Sequence, residues 1–322
     1  MKLQIAEKKL SKFYSRKYCL LTGNATTSLF LCLKSLNLPK NSKVMISNSA
    51  CPHVPLSIYL AGLKPLFVDI DKKDLSLNIK NIRKFYNNNK RVKAIIAIHA
   101  YGIPCQIDMI SNFCRLKKIF LIEDAAIAQN LKINQKQIGN FGVGSVISFG
   151  TGKIFDIGSG GAILTDNKIL FEKINNLYKK LDNFTKAKLN RTSKLSDFHT
   201  SLYNKYFINN KKFKIYKQYK KKYIFEDKNF LYKFDIRKIN KIIINKPVLN
   251  KIVSSRRANT KYIYKKLNKI SNNFFNIPKI MKNEVPWRAN IFFKKEEHRN
   301  IILKDLLKKK IRISSWHPSL DL

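Results

Sequence analysis

The chain has 322 residues, of which 44% are hydrophobic and spread along the sequence, so it can bury a full core. This composition excludes a disordered protein and favours a globular chain of about two domains. The formal net charge of +44 and the pI near 10.1 favour an anionic partner: nucleic acid, a membrane surface or an anionic substrate.

The basic residues are mostly Lys, recur in every segment and stand among abundant Asn and Ile. This pattern indicates solvated faces rather than a nucleic-acid-binding surface, because base reading uses Arg within a recognisable motif. We therefore expect no specific nucleic-acid partner, although the positive field would attract an anionic substrate.

Nothing in the sequence indicates a membrane anchor or an oxidising compartment. No run of 18 apolar residues occurs, and residues 1–14 lack the apolar core of a signal peptide. The cysteines are odd in number, form no CxxC pair and lie mostly in apolar runs: Cys19, Cys32, Cys51, Cys105 and Cys114. We therefore expect a cytoplasmic protein without membrane insertion, and we assign no metal ligands.

The chain opens with a predicted helix over residues 5–17 and a strand over 18–22, followed by a glycine turn that leads into a second helix. Free N–H groups at the start of that helix, with the hydroxyls of Thr26 and Thr27, would form a phosphate site. An ordinary helix N-cap is an equally good interpretation of the same residues.

Strands then alternate with helices up to residue 122. The predicted strands cover 43–47, 65–70, 93–99 and 119–122; helices lie between them, and 48–55 is predicted to be an irregular loop. Strands of continuous Val, Ile and Leu that alternate with helices indicate an α/β fold, with a mostly parallel sheet covered by helices on both faces. Ligands bind such sheets at the carboxyl ends of the strands.

Asp124 follows one of these carboxyl ends. A carboxylate there can pair with a protonated ring nitrogen of a cofactor. It can equally cap the helix that follows.

The segment 144–166 is the most informative part of the chain. Two predicted strands, 145–149 and 161–165, flank a loop; residues 150–161 hold five glycines and a single lysine, Lys153. The glycines let a ligand approach the backbone, and partial desolvation makes a lysine amine nucleophilic, so Lys153 can form a Schiff base with an aldehyde cofactor. Ser148 offers a hydroxyl to a phosphate. The alternative is a glycine-rich turn with a solvated lysine.

The amino-acid composition changes at about residue 167. Residues 168–233 are rich in Lys, Asn and Tyr, and we assign helices there. Further on we predict helices over 247–268 and 296–310 and strands over 287–293 and 311–315. The sequence therefore predicts a cofactor-binding large domain over 1–166 and a smaller α+β domain over 167–322.

Several motifs together resemble the DegT/DnrJ/EryC1/StrS family of sugar aminotransferases. They are LTGNATTSLFLCLKSL (21–36), GLKPLFVDID (62–71), AIHAYGIPCQIDMI (97–110), FLIEDAA (120–126), SFGTGK (148–153) and GSGGAILTD (158–166), with weaker matches at 256–267, 285–288 and 314–320. The resemblance implies the fold-type I aminotransferase architecture and pyridoxal 5'-phosphate as cofactor. Family members usually continue beyond the position of residue 322, so the smaller domain is expected to be truncated.

Position by position, the resemblance makes Lys153 the Schiff-base lysine and general base. It pairs Asp124 with the pyridinium nitrogen, and it assigns the phosphate to Ser148 and the Ala25–Thr26 turn. Cys51 falls where the family stacks an aromatic residue on the cofactor ring, with His53 nearby.

Other positions carry weaker or divergent implications. The family usually has Gln or His where this chain has Ile127. His99 resembles a largely structural histidine of the family. Trp287, Arg288 and Trp316 are expected in the core of the smaller domain or at its edge.

The implied activity is transfer of an amino group from an amino acid, most often L-glutamate, to a nucleotide-linked keto-sugar in surface polysaccharide or glycoconjugate biosynthesis. The implied assembly is a homodimer. Two alternatives stay open: transamination of a small amino acid, and a catalytically impaired or cofactor-free basic binding protein. A relative that dehydrates sugars has His in place of the lysine, and Lys153 argues against that branch.

Overall fold

A central sheet organises the molecule. The computed structural model describes residues 2–71, 76–89, 91–190, 230–242, 246–270, 273–277, 284–311 and 313. The strands up to residue 165 are β1 Tyr18–Thr22, β2 Lys43–Ser47, β3 Lys64–Val68, β4 Val92–Ile98, β5 Phe120–Asp124, β6 Lys132–Ile133, β7 Lys136–Gln137, β8 Gly144–Ser148 and β9 Gly161–Thr165. β6 and β7 form a separate two-stranded hairpin.

The other seven strands form one sheet in the order β1-β9-β8-β5-β4-β2-β3. β2, β3, β4, β5 and β8 pair in parallel, while β9 runs antiparallel to both of its neighbours. The mostly parallel sheet confirms the prediction. The reversal at β9 follows from its connection: residues 149–160 contain no helix, and a parallel return would need a crossover.

Helices cover both faces of the sheet. The helices are α1 Lys2–Phe13, α2 Ala25–Ser35, α3 His53–Leu60, α4 Ile79–Asn87, α5 Ile107–Lys117, α6 Lys168–Lys179, α7 Lys246–Leu267 and α8 Glu296–Lys308. α1, α4 and α5 bury their apolar stripes in one core cluster, and α2, α3 and α6 bury theirs in another. Buried strands with apolar residues on both faces explain why the sequence shows continuous apolar runs rather than alternation.

The beginning of α3 corrects one sequence prediction. The segment 48–55 was expected to be an irregular loop, but α3 begins at His53. Pro55 is compatible with this start because proline is tolerated in the first turn of a helix. The loop therefore covers only the residues between β2 and Pro52.

The C-terminal part departs further from expectation. Of the predicted strand 287–293, only Phe292–Phe293 is extended and paired, as β11 against β10 Phe275–Asn276. Residues 311 and 313 are not in a strand, and the rest of the predicted strand 311–315 lies outside the described residues, as do 191–229. The division into domains at residue 166 stays a prediction.

No helix in the described part of the chain is long and apolar enough to cross a membrane.

Residues 285–287 are hydrogen-bonded to the backbone of Tyr101 and Gly102, which follow β4. The N–H of Val285 donates to the Gly102 carbonyl at 3.0 Å, and the N–H of Trp287 donates to the Tyr101 carbonyl at 3.3 Å. Gly102 has φ +80°, and a Cβ there would lie 1.8 Å from the Val285 carbonyl oxygen. Only glycine therefore permits this approach.

Gly102→Ala is expected to destabilise the protein by about 3 kcal/mol or more, because the new Cβ must displace the 285–287 backbone. Gly62→Ala is the matched control. Gly62 has the same φ of +80° but nothing within 4 Å of a new Cβ, so only the backbone strain of about 1 kcal/mol applies. Equal losses in denaturant-induced unfolding would contradict the close approach at Gly102.

Candidate active site

The candidate residues meet at one edge of the sheet. Asp124 is the last residue of β5, Ser148 is the last residue of β8, and Ala25 begins α2 shortly after β1. β1, β5 and β8 run in the same direction, because β9 is antiparallel to both β1 and β8. Their carboxyl ends therefore share the edge at which α/β sheets bind ligands.

Residues 149–160 form a loop, called here the lysine loop, that is fixed by its own backbone and by Asp156. The Asp156 carboxylate accepts from the N–H groups of Gly152 and Gly158, each at 2.7 Å. The N–H of Lys153 donates to the Gly150 carbonyl at 3.2 Å. Both glycines bonded to Asp156 have positive φ, which explains why the loop uses glycine there. Lys153 is half-buried on this ordered loop.

Asp124 is 6% exposed, and its Oδ1 accepts from the N–H of Ala126 at 3.0 Å. Within the described residues this is the one hydrogen bond of the carboxylate. Burial raises the pKa of the Asp124 carboxyl above its usual range, against the lowering effects of the Ala126 N–H and the Lys153 ammonium. The amine and the carboxylate are therefore close enough to interact, and the carboxylate lacks a full set of partners.

Ser148 lies beside open space. It is 5% exposed, and the N–H of Gly150 approaches its Oγ at 3.4 Å. A Cβ added at Gly150 would have only this Oγ within 4 Å. Gln129 holds the strand end by donating from Nε2 to the Ser148 carbonyl at 2.6 Å. A small anionic group could therefore reach the Ser148 hydroxyl.

The N-terminus of α2 faces the same region. Asn24 caps this helix by accepting from the Thr27 N–H at 2.8 Å, and the Thr27 hydroxyl donates to the Phe230 carbonyl at 2.7 Å. Thr26 is 6% exposed, and its hydroxyl makes no hydrogen bond within the described residues. The N-cap interpretation is thus correct for Asn24, and the Thr26 hydroxyl is left available for a ligand. Ala25 is half-buried beside Gly161, where a Cβ would lie 2.8 Å from the Ala25 nitrogen.

Cys51 and His53 are neighbours, and His53 is close enough to Lys153 to feel its charge. Cys51 is half-buried, and its Sγ lies 3.4 Å from Nδ1 of His53. The imidazole packs edge-on against Phe230, with 5.0 Å between ring centroids. Desolvation, and secondly the Lys153 charge, lower the pKa of His53 to about 4, so the ring is neutral at neutral pH.

The sequence profile of the DegT/DnrJ/EryC1/StrS aminotransferase family matches residues 2–230. The chain belongs to the DegT/DnrJ/EryC1/StrS family. A GDP-perosamine synthase from Vibrio cholerae is 28% identical over 167 residues, which are 52% of this chain and 45% of that protein. A dTDP-4-amino-4,6-dideoxy-D-glucose transaminase from Shigella dysenteriae is 32% identical over 174 residues, covering 54% of this chain and 46% of that protein.

The chain spans about half the length of the curated relatives it matches. Among solved structures, Helicobacter pylori PseC, an aminotransferase involved in the biosynthesis of pseudoaminic acid, superposes with a TM-score of 0.71. The alignment covers 99% of this chain and 78% of PseC at 16% identity, which establishes the fold. The resemblance and the fold class inferred from the sequence are thereby confirmed.

Ile127 departs from the pattern of the DegT/DnrJ/EryC1/StrS family, and its side chain is buried. Ile127, which stands where the family usually has Gln or His, is 6% exposed and contributes an apolar side chain. The nearest polar substitute in the sequence is Gln129, which is 1% exposed and directed to the Ser148 carbonyl. Its Oε1 is buried, with no hydrogen-bond partner among the described residues.

Two residues that shape this site, Asp156 and Trp287, were not expected there from the sequence. Asp156 is the only acidic residue of the lysine loop, and its position among glycines was the available signal for a loop-closing carboxylate. Trp287 was expected in the core or at the edge of the smaller domain. Its indole Nε1 instead donates to the Gly152 carbonyl at 2.8 Å, and Nζ of Lys153 lies 5.9 Å from the ring centroid.

Glu123 and His99 form a buried polar pair next to the Asp124 end of β5. Glu123 is fully buried, and its carboxylate accepts from the N–H groups of Gly139 at 2.8 Å and Gly142 at 3.0 Å, and from that of Phe141. Nε2 of His99 lies 3.5 Å from Oε2 of Glu123. The N–H of Cys105 lies 3.3 Å from Nδ1 of His99. Burial lowers the pKa of His99, but Cys105 and Glu123 outweigh it and raise the pKa to about 10. The structural role expected for His99 fits this arrangement.

Glu123→Gln is expected to destabilise the fold by about 3 kcal/mol, because the amide places N–H groups against backbone donors. Burial alone would raise the pKa of Glu123, but His99 and the backbone N–H groups lower it below the ordinary 4.5. The stabilisation is therefore present above pH 4.5 and is lost as the pH falls. Urea unfolding at several pH values should show the difference between Glu123→Gln and wild type shrinking in acid.

Glu172→Gln is the control for this measurement. Glu172 is exposed on α6 and lies 4.0 Å from Lys168, so its loss should cost no more than about 0.5 kcal/mol. A Glu123→Gln protein as stable as Glu172→Gln at neutral pH would contradict the role of Glu123.

Proposed function

We propose that this chain is a pyridoxal-phosphate-dependent aminotransferase that transfers an amino group from an amino acid to a nucleotide-linked keto-sugar. The observation that carries the proposal is the half-buried amine of Lys153, held on an ordered glycine-rich loop beside the buried, under-partnered carboxylate of Asp124. This pair lies at the ligand-binding edge of the sheet in a chain of the DegT/DnrJ/EryC1/StrS family.

The donor groups at this edge fit the proposed cofactor. Asp124 has an unfilled hydrogen-bonding capacity and a raised pKa, and a protonated pyridine nitrogen would satisfy the first and lower the second. The hydroxyls of Ser148 and Thr26, with the N-terminal N–H groups of α2 at Ala25, are donors suited to a phosphate. The space beside Gly150 lets a phosphate approach Ser148.

When bound, pyridoxal phosphate supplies an aldehyde that accepts amines and a ring that withdraws electrons from the carbon bearing the amine. Lys153 would hold the cofactor through its aldehyde. Its Nζ would also be the base that takes a proton from the donor α-carbon and returns one to the aminated product. Asp124 would keep the ring nitrogen protonated, because its carboxylate would be stabilised by a positive partner.

Cys51 and His53 complete the proposed pocket. The soft, polarisable Cys51 thiol would pack against the cofactor ring in place of an aromatic side chain. His53 fixes the thiol through Nδ1 at 3.4 Å. The neutral imidazole adds no charge to the pocket, which leaves Lys153 as the group that moves protons.

L-glutamate is the proposed amino donor, and the acceptor is a keto-sugar that carries a nucleotide diphosphate, for surface polysaccharide or another glycoconjugate. The names of the Vibrio and Shigella relatives support a nucleotide sugar. The proposed working form is a homodimer in the cytoplasm. All five cysteines are free, which fits a reducing compartment.

The proposal is tested with L-glutamate labelled with nitrogen-15 on its amino group. The protein loaded with pyridoxal phosphate is incubated with a GDP-linked or a dTDP-linked keto-sugar, and the products are analysed by mass spectrometry. Appearance of the label in the sugar nucleotide is the expected result. Conversion of L-glutamate without labelled sugar nucleotide would restrict the activity to amino acids, and failure to bind the cofactor would leave a basic binding protein.

A further inference from the structure

The side chain of Trp287 reaches the lysine loop from a distant part of the sequence. Its indole Nε1 donates to the Gly152 carbonyl at 2.8 Å, across 135 residues. Gly152 immediately precedes Lys153, so this carbonyl belongs to the peptide group that joins the two residues. The indole is therefore bonded to the peptide group that contains the backbone nitrogen of Lys153.

Both polar groups of the Gly152–Lys153 peptide are hydrogen-bonded. The carbonyl accepts from Trp287, and the N–H of Lys153 donates to the Gly150 carbonyl at 3.2 Å. The N–H of Gly152, one peptide earlier, donates to Oδ2 of Asp156 at 2.7 Å. Gly150 and Asp156 belong to the lysine loop itself, whereas Trp287 joins the loop to another part of the fold. The peptide plane cannot turn without losing one of these bonds.

The backbone around Trp287 is fixed at the end of β4. The N–H of Trp287 donates to the Tyr101 carbonyl at 3.3 Å, and the N–H of Val285 donates to the Gly102 carbonyl at 3.0 Å. Tyr101 has φ +59°, a left-handed conformation that a residue with a side chain keeps only where the surrounding contacts hold it. The indole therefore connects a fixed segment after β4 to the lysine loop after β8.

The same indole lies beside the amine of Lys153. Nζ is 5.9 Å from the ring centroid, within the range of about 6 Å over which an aromatic face attracts an ammonium group. Trp287 is half-buried, so the ring is partly shielded from water. One side chain thus contacts Lys153 at both ends, through the peptide that precedes it and through its amine.

We propose that Trp287 is a positioning residue, which fixes the backbone of Lys153 and thereby the place that its amine can reach. This inference rests on the proposed aminotransferase function, in which Lys153 moves a proton at one carbon of the donor. Lysine has a flexible four-carbon stem, so a backbone that turned freely would spread the amine over a wide region. A misplacement of about 1 Å in a reacting group can cost about 10²-fold in rate.

Trp287→Phe tests the hydrogen bond, because it removes the indole N–H and keeps an aromatic ring beside Lys153. In the cofactor-free protein, hydrogen–deuterium exchange of peptides that cover residues 150–158 should become about tenfold faster. Tyr262→Phe is the matched control, since it removes one donor from an exposed aromatic side chain on α7. It should leave exchange of the same peptides within about twofold of wild type. Equal exchange in wild type and Trp287→Phe would overturn the proposal.

A second measurement leaves Trp287 in place. The chain has two tryptophans, so Trp316→Phe leaves one indole N–H signal in a nitrogen-15 NMR spectrum. If this N–H is held by the Gly152 carbonyl, it should exchange with water at least about tenfold more slowly than the N–H of free tryptophan. Exchange as fast as in free tryptophan would also overturn the proposal, whether or not Trp287→Phe folds.

Kinetics distinguish a positioning residue from one that binds substrate. With the protein loaded with pyridoxal phosphate, Trp287→Phe should lower kcat for L-glutamate about tenfold and leave KM within about twofold. Trp287→Leu, which also removes the aromatic face, should lower kcat further. Circular dichroism of the cofactor absorption band, which reports a fixed orientation, should weaken in the same order.

A raised KM with an unchanged kcat would make Trp287 a substrate-binding residue and contradict the proposal. Failure of the wild-type protein to bind pyridoxal phosphate would instead contradict the proposed function. The two exchange measurements use the cofactor-free protein, so they still test whether Trp287 holds the Gly152–Lys153 peptide.

Discussion

Lys153→Ala is expected to lower the rate of amino transfer from L-glutamate by about 10³-fold or more. The substitution removes the amine that is proposed both to hold the cofactor aldehyde and to move the α-proton. Cofactor affinity should fall less, because the proposed ring and phosphate contacts at Asp124, Ser148 and Thr26 are not altered. Stopped-flow absorption after mixing the loaded protein with L-glutamate measures the rate directly.

Lys168→Ala controls for the loss of a lysine in this lysine-rich chain. The Lys168 side chain is 74% exposed on α6, and its replacement should leave the rate unchanged within about twofold. A Lys153→Ala protein that turns over at the rate of the Lys168→Ala protein would rule out the proposed role of Lys153.

Asp124→Asn is expected to slow amino transfer on the order of 10²-fold, since a neutral amide no longer stabilises a protonated ring nitrogen. The amide oxygen keeps the hydrogen bond from the Ala126 N–H, so the local backbone should not change. The effect should therefore fall on the rate and on the spectrum of the bound cofactor. Asp305→Asn, which removes an exposed carboxylate near Lys309 on α8, should change neither.

Asp124→Asn is also expected to stabilise the cofactor-free protein by about 1 kcal/mol at neutral pH. The pKa of Asp124 is raised in the fold, so the ionised carboxylate costs stability at pH values above that raised pKa. Below the ordinary value of 3.8 the carboxyl is protonated in both states, and the advantage of Asn should vanish. Thermal unfolding across pH measures this difference. With pyridoxal phosphate added, wild type should become more stable than Asp124→Asn, because the cofactor stabilises wild type more.

The large-domain fold was predictable because burial on both faces leaves continuous apolar strands in the sequence. Strands such as β8 are buried at every residue and cannot be confused with a half-solvated strand. The antiparallel β9 was not predictable from its own residues, which are as apolar as those of its neighbours. Its direction depends on the lysine loop, whose glycines and Asp156 return the chain without a helix.

The carboxyl-edge residues of the candidate site were also predictable, because Asp124 and Ser148 each end an apolar run. Trp287 was not, since its place beside Gly152 depends on a contact 135 residues away in sequence. The surrounding sequence suggested a strand over 287–293, but only 292–293 pairs. Residues 285 and 287 instead donate to the 101–102 backbone, a pairing that no local pattern reveals.

The central claim is that Lys153 is the amine that holds pyridoxal phosphate. Borohydride reduction of the loaded protein fixes the cofactor on the lysine to which it is linked, and peptide mapping by mass spectrometry locates it. One stoichiometric label is expected on the peptide containing Lys153, and it should be lost when L-glutamate is added before reduction. A label spread over surface lysines, or unaffected by L-glutamate, would contradict the role of Lys153.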